Sequence, residues 1–214
     1  MADRAWPSVD VFAKAPVPGM VKTRLIPALG AEGAACLHAA LVHHTLRTVR
    51  EAGFNQITLW CAPDERHPFF AACEAAYGLR LASQSEGDLG ARMTHVFHSH
   101  APCLLMGSDC PSITTDHLHA CATALASHDA VFLPAEDGGY GLVGLNQPAP
   151  SLFRDIAWST PAVMAQTRER LGALRLTHAE PAMIWDVDEP ADVSRLVASG
   201  LLAPSVWERG PDSE

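Results

Sequence analysis

The sequence lacks the surplus of positive charge that a nucleic-acid-binding surface needs. Across 214 residues, 15 Lys and Arg stand against 24 Asp and Glu, a formal net charge of −9, whereas binding to a phosphate backbone requires a basic face. Nucleic acid is therefore excluded as the main partner, although a local basic pocket for one small phosphate ligand is not. No apolar stretch approaches the length of a membrane span. The opening Met1 to Pro7 has no basic-then-apolar secretory pattern, so the expected setting is cytoplasmic. The six cysteines, Cys36, Cys61, Cys73, Cys103, Cys110 and Cys121, contain no C-x-x-C pair. They fall mostly in apolar helix or strand patterns and read as reduced core thiols rather than a disulfide or zinc framework. The spacings of His95, His98 and His100, and of His117 and His119, match no usual zinc pattern and read as solvated helix positions. Internal repeats, low-complexity segments and a Walker loop are also missing.

What is present is an ordinary globular composition, 48% apolar and 18% charged, long enough to bury a full core. The most informative stretch is Cys103 to Ser112. Its apolar run, Leu104 to Met106, is cut off by Gly107 and followed by Ser108, Asp109 and Pro111. That pattern describes a buried strand delivering Asp109 to its carboxyl end, the edge where open α/β sheets bind ligands.

Around it the chain alternates strand and helix. A first strand, Val9 to Ala13, enters a loop stiffened by Pro16, Pro18 and Gly19 that carries Lys14, Lys22 and Arg24. A fixed backbone bearing cations is how a phosphate clamp is built. Ala31 to Glu51 reads as a long helix with Leu37, Leu41, Leu46 and Val49 in a stripe, then come a strand at Gln56 to Trp60, a helix at Pro68 to Tyr77 and a strand at Leu79 to Ala82. This order implies parallel strands with right-handed crossovers. The loop Gln84 to Gly90 opens a helix reaching about His100; its glycines allow close ligand approach and its helix N-terminus favours anions, while Asp88 reads as the cap. After the Asp109 strand follow a helix from Thr115 to Ser127 capped by Thr114, a strand at Ala130 to Pro134, the loop Ala135 to Gly139, and an antiparallel return at Tyr140 to Leu145. A helix from Pro161 to Leu171 precedes a late strand, Leu174 to Thr177. Asp186 and Asp188 then share one face of an extended segment, ahead of a helix from Pro190 to Ser199 and a loosely ordered tail at 204–214.

Six motifs in order, FAKAPVPGMVKTRL, EGDLGARM, LLMGSDCPSIT, PAEDGGYGLVGL, WST with QT further on, and DVDEP followed by Asp192, span about residues 8–199. Together they resemble the DUF2064-type glycosyltransferase-like proteins, described as nucleotide-diphospho-sugar transferases and in some cases associated with arsenosugar biosynthesis. The first loop and DVDEP are also similar to the phospholactate and molybdopterin guanylyltransferases. The single Gly19 departs from the Gly-rich loop of the latter, and the Asp137 to Tyr140 loop departs from the former.

The resemblance implies an α/β, three-layer α/β/α GT-A fold: one domain over 1–214, with its core at about 8–200 and a mostly parallel mixed sheet holding one antiparallel strand. It implies a metal-dependent enzyme using a nucleotide-diphospho-sugar donor and a small-molecule acceptor. The alternatives are a nucleotidyltransferase that couples a nucleoside triphosphate to a phosphorylated small molecule with release of pyrophosphate, and a non-catalytic nucleotide-binding module. By the same resemblance Asp109, Asp186 and Asp188 would hold Mg²⁺ or Mn²⁺, while Lys22 and Arg24 would grip phosphate. Ala13, Lys14, Gly19 and Ser108 would line the nucleotide, and Gln84, Gly87, Asp88, Leu89 and Gly90 would shape its base or ribose pocket. Gly138, Gly139 and Tyr140 would face donor sugar and acceptor, with Asp137 orienting or deprotonating an acceptor hydroxyl. Exposed helix faces and tryptophans leave room for a homodimer.

Overall fold

The computed structural model describes residues 6–208. Seven strands form one sheet in the order β3-β2-β1-β4-β6-β5-β7. They are β1 (Ser8–Lys14), β2 (Ile57–Ala62), β3 (Arg80–Ser83), β4 (Cys103–Met106), β5 (Ala130–Pro134), β6 (Tyr140–Leu145) and β7 (His178–Ala179). Only β6 runs against its neighbours, pairing antiparallel with both β4 and β5; β1 pairs in parallel with β2 and β4, as β2 does with β3 and β5 with β7. The central strands read as near-continuous apolar runs because both of their faces are covered.

The alternation of side chains along those strands divides the core in two. Val9, Val11, Leu104, Met106, Val131 and Leu133 face one layer of helices, α1 (Ile26–Glu51), α2 (Pro68–Tyr77) and α4 (Thr115–Leu125). Cys103, Leu105, Phe132 and Val143 face the other, α3 (Leu89–His100) and α5 (Val163–Leu174). The result is the expected three-layer α/β/α arrangement with a mostly parallel mixed sheet. All six cysteines are free, and five of them are buried.

Several boundaries differ from the sequence reading. Gly30 (φ 71, ψ 168) interrupts α1, so the regular helix starts at Ala31 while a preceding turn reaches back to Ile26. The segment Thr23–Glu51 is in fact long and apolar enough to cross a membrane by length and composition, with a window of mean hydropathy 1.6. Its apolarity has a packing cause. Val42, Leu46 and Val49 meet the sheet, while Ala34, Leu37 and Leu41 are covered by Leu196 of α6 (Pro190–Ser199), Leu202 and Trp207. Trp207 belongs to a short helix, α7 (Ser205–Glu208), where the sequence led us to expect loose order; residues 209–214 lie outside the described residues. The late strand also moves. Leu171 packs into the core and carries α5 on to Leu174, Arg175 ends the helix in the left-handed region at φ 55, and the strand reduces to His178–Ala179, bonded to Ala130 and Val131.

Candidate active site

The carboxyl ends of β1, β4 and β5 open onto a cleft of about 730 Å³. Asp109 reaches it just past β4, where the Gly107 N–H donates to the Gly141 carbonyl at 3.1 Å and turns the chain. The segment carrying Asp186 and Asp188 is drawn alongside by main-chain bonds. Ile184 donates to Pro134 O at 2.9 Å, Glu136 to Ile184 O at 3.0 Å, and Val187 to Asp109 O at 3.0 Å. The Ser112 hydroxyl donates to Trp185 O (2.8 Å) and accepts from Trp185 N (3.0 Å). Asp192 then accepts from the amides of Asp188 and Glu189, at 3.0 and 2.7 Å, and thereby fixes the turn into α6.

These bonds bring one carboxylate oxygen from each of Asp109, Asp186 and Asp188 within 4.8 Å of one another. Lys22 reaches into the cluster, with Nζ 2.8 Å from Asp188 Oδ1 and 3.5 Å from Asp109 Oδ2, and its side chain is only 7% exposed. Its backbone is left-handed (φ 46, ψ 43), a conformation uncommon outside glycine. Arg24 lies at the rim, 3.4 Å from Asp188 and 3.5 Å from Glu189.

The charges interlock. Burial works to lower the Lys22 pKa, but Asp109 and Asp188 outweigh it and hold the ammonium above its usual range. Burial would raise Asp109, yet Lys22 keeps that carboxyl below the ordinary value. Asp186, which has no ion pair among the described residues, is pushed up to about 6 by burial and then by Asp109, Asp137 and Asp188. The donor set fits a divalent cation. Three carboxylate oxygens are the hard ligands that Mg²⁺ and Mn²⁺ take, and the Lys22 ammonium already offsets part of their charge.

Of the other residues singled out in the sequence, Ala13, Lys14, Gln84, Leu89, Ser108, Asp137, Gly139 and Tyr140 also line the cleft. Asp137 Oδ1 accepts from the Gly139 amide at 2.9 Å. Tyr140 is packed edge-on to Phe132, its hydroxyl 3.8 Å from Met93 Sδ, and burial pushes its phenol up. Gly19, Gly87, Asp88, Gly90 and Gly138, expected at the nucleotide or donor sugar, are not part of the lining. Asp88 caps α3 by accepting from Ala91 N at 2.8 Å. Gly90 lies under the Trp158 ring, where a Cβ would come within 3.1 Å of the indole, and Gly138 (φ 91) lies against the Pro161 carbonyl.

The sequence reading missed His38, Arg92, Met93 and Trp158 to Pro161, all of which line the cleft. His38 was hidden within an apolar helix pattern; it is buried, its Nε2 is 2.9 Å from Lys14 O, and burial holds its pKa down. Arg92 stood inside the quoted EGDLGARM motif without being singled out. Nothing in the spacing of the Trp158 segment placed it against the Asp137–Gly138 turn, although the WST motif was visible.

A mixed sheet of this order, with carboxylates and cations gathered at its carboxyl edge, defines a protein of the nucleotide-diphospho-sugar transferase class of folds. The chain belongs to the DUF2064 family, whose profile, described as an uncharacterized protein conserved in bacteria, matches residues 45–160. Among solved structures it is similar to one from Desulfovibrio desulfuricans G20 provisionally named a nucleotide-diphospho-sugar transferase. That likeness has a TM-score of 0.82 and 28% identity and covers 96% of this chain and 91% of that one. The fold also matches the CTP:phosphocholine cytidylyltransferase of Streptococcus pneumoniae, at TM-score 0.56 and 14% identity over 91% of this chain and 99% of that one. A manganese complex of Rv0371c from Mycobacterium tuberculosis H37Rv matches at TM-score 0.51 and 18% identity, over 90% of this chain and 99% of that one. No curated protein matches the sequence.

Proposed function

We propose that the protein is a metal-dependent transferase that uses a nucleotide-diphospho-sugar donor and a small hydroxyl-bearing acceptor. The observation that carries this reading is the convergence of Asp109, Asp186 and Asp188 around Lys22 at the carboxyl edge of the sheet. The likeness over nearly the whole chain to a protein provisionally named for the same donor class supports it.

Asp109, Asp186 and Asp188 would hold Mg²⁺ or Mn²⁺. When bound, such an ion neutralises charge developing on a diphosphate leaving group. Lys22 and Arg24 add cationic charge at the same place, and Lys14, which has no ion pair among the described residues, lies at the end of β1 facing the cleft. The Trp158–Pro161 segment and Tyr140 also line the cleft, where the Trp158 ring lies over Gly90. Trp158 offers a flat apolar face there, while the segment is fixed by Gln166, whose Oε1 accepts from Ala157 N at 2.8 Å, and by the Thr160 hydroxyl donating to Ala157 O at 2.7 Å. Asp137 has one oxygen engaged by Gly139 N and a second that can take the proton of an acceptor hydroxyl.

A second reading, transfer of a nucleotidyl group from a triphosphate with release of pyrophosphate, draws support from the shared fold of the pneumococcal cytidylyltransferase. The test is a ligand screen followed by product analysis. Nucleotide sugars, diphosphates and triphosphates are screened by thermal shift with and without Mn²⁺, since a ligand of the native state raises the melting temperature. A nucleotide sugar should stabilise the protein only with metal, and Asp109→Asn should abolish that effect. Asp137→Asn should retain donor binding yet lose about a hundredfold or more in turnover. Release of a nucleoside diphosphate supports the first reading and pyrophosphate the second; absence of any metal-dependent shift would overturn both.

A further inference from the structure

The side chain that a base would meet in this cleft is set by which hydrogen-bonding groups the fold has already engaged. Gln84 lines the cleft, but its amide is committed: Nε2 donates to Trp60 O at 2.8 Å and to Ala13 O at 3.2 Å, and Oε1 accepts from Arg92 Nη1 at 2.9 Å. An amide has two N–H donors, so Gln84 has none left for a ligand. Asp88, in the same loop, is engaged in capping α3.

Arg92 is in the opposite condition. Its Nε donates to Gly87 O at 3.2 Å and its Nη1 to Gln84, which fixes the guanidinium plane at two points. Three of its five N–H groups have no partner among the described residues, and no carboxylate lies within ion-pairing distance. Of the two arginines that line the cleft among the described residues, Arg24 meets Asp188 and Glu189, whereas Arg92 meets no carboxylate. A half-buried guanidinium, held rigid on a ligand cleft without a counter-charge in a chain of net charge −9, is a donor awaiting an acceptor. Its anchors place it over the carboxyl ends of β1 and β2, to one side of the acid cluster that follows β4, where the proposed function puts the diphosphate beside Lys22 and Arg24.

We propose that Arg92, held by Gln84 and Gly87, selects the nucleobase, and that the base is one presenting two adjacent acceptors. This rests on the nucleotide-dependent reading above and adds the base class to it. A planar fork pairs bidentately with such an edge. Guanine offers O6 and N7, and cytosine offers O2 and N3. Adenine sets an amino donor beside N7, and uracil separates its two carbonyls with an N–H. The site therefore takes guanine or cytosine nucleotides and disfavours adenine and uracil.

The experiment is calorimetric titration of GDP, CDP, UDP and ADP in Mn²⁺ into wild type, Arg92→Lys and Arg92→Ala, with melting temperatures checking that each variant is folded. Wild type should bind GDP or CDP at least about tenfold more tightly than ADP and UDP, in line with the discrimination of one bidentate pair. Both variants should bind the favoured base as weakly as ADP, with ADP itself unchanged. Arg92→Lys keeps the charge and loses the fork, so it separates base reading from phosphate binding. Equal loss for all four nucleotides would overturn the proposal in favour of a phosphate contact. It is also overturned if the preference survives in both variants, or if wild type prefers ADP or UDP. Failure of every nucleotide to bind wild type would instead overturn the underlying reading, and with it this one.

Discussion

Lys22 holds together groups that would otherwise repel. Three carboxylates within 4.8 Å disfavour one another's ionisation, and the ammonium between Asp109 and Asp188 relieves part of that cost. A divalent ion entering the same cluster must therefore compete with Lys22. Lys22→Met should raise the affinity for Mn²⁺ alone by about tenfold or more, because a like charge a few ångströms away is removed, while weakening binding of the metal–nucleotide pair if the ammonium grips phosphate as proposed. Calorimetry with Mn²⁺ in the absence and presence of nucleotide measures both; unchanged affinity for Mn²⁺ alone would mean that ion and ammonium occupy separate places. At this scale the sequence was informative where chemistry is local. Asp186 and Asp188, two residues apart on an extended segment, could be read as sharing a face. The approach of Lys22 to Asp188 across 166 positions could not be read, because no local pattern encodes which distant loop supplies the counter-charge.

Among the elements, the loop between β5 and β6 shows how one turn positions a wall of the cleft. Gly138 has φ 91, and a Cβ there would lie 2.2 Å from the Pro161 carbonyl oxygen, while its own carbonyl accepts from Met164 N at 2.8 Å. Gly138→Ala should destabilise the protein by about 2 kcal/mol or more through backbone strain and overlap, and should displace the Trp158 segment. Gly172→Ala, at a helical position with nothing within 4 Å, should stabilise by about 0.5–1 kcal/mol. Urea denaturation of the two variants measures the contrast, and similar losses in both would show that the Pro161 contact is not what demands glycine. The limits of α2, β5, β6 and α6 were legible because prolines, glycines and apolar runs mark them. The end of α5 was not. Leu174 and Leu176 alternate like a strand, and the packing of Leu171 overrides that local pattern.

Across the whole molecule, α1 is buried twice, once against the sheet and once beneath α6 and α7. Trp207, 4% exposed, closes the outer layer with Leu202, Leu196 and Leu37. Trp207→Ala should cost about 3–5 kcal/mol, the usual loss on emptying a buried aromatic site, seen as a lower denaturation midpoint; a loss under about 1 kcal/mol would mark the final helix as dispensable. The sequence by itself determined the succession of strands and helices, the antiparallel return at β6 and the acids and cations offered at the strand ends, because hydrophobic periodicity and turn chemistry act over a few neighbouring residues. Only the tertiary structure decided that Lys22 sits among the acids, that Gln84 has its donors engaged while Arg92, held at two points, meets no carboxylate among the described residues, and that the last helix covers α1. Those outcomes depend on distances between segments far apart in the chain, and burial and hydrogen-bond satisfaction set such distances only once the whole core has formed.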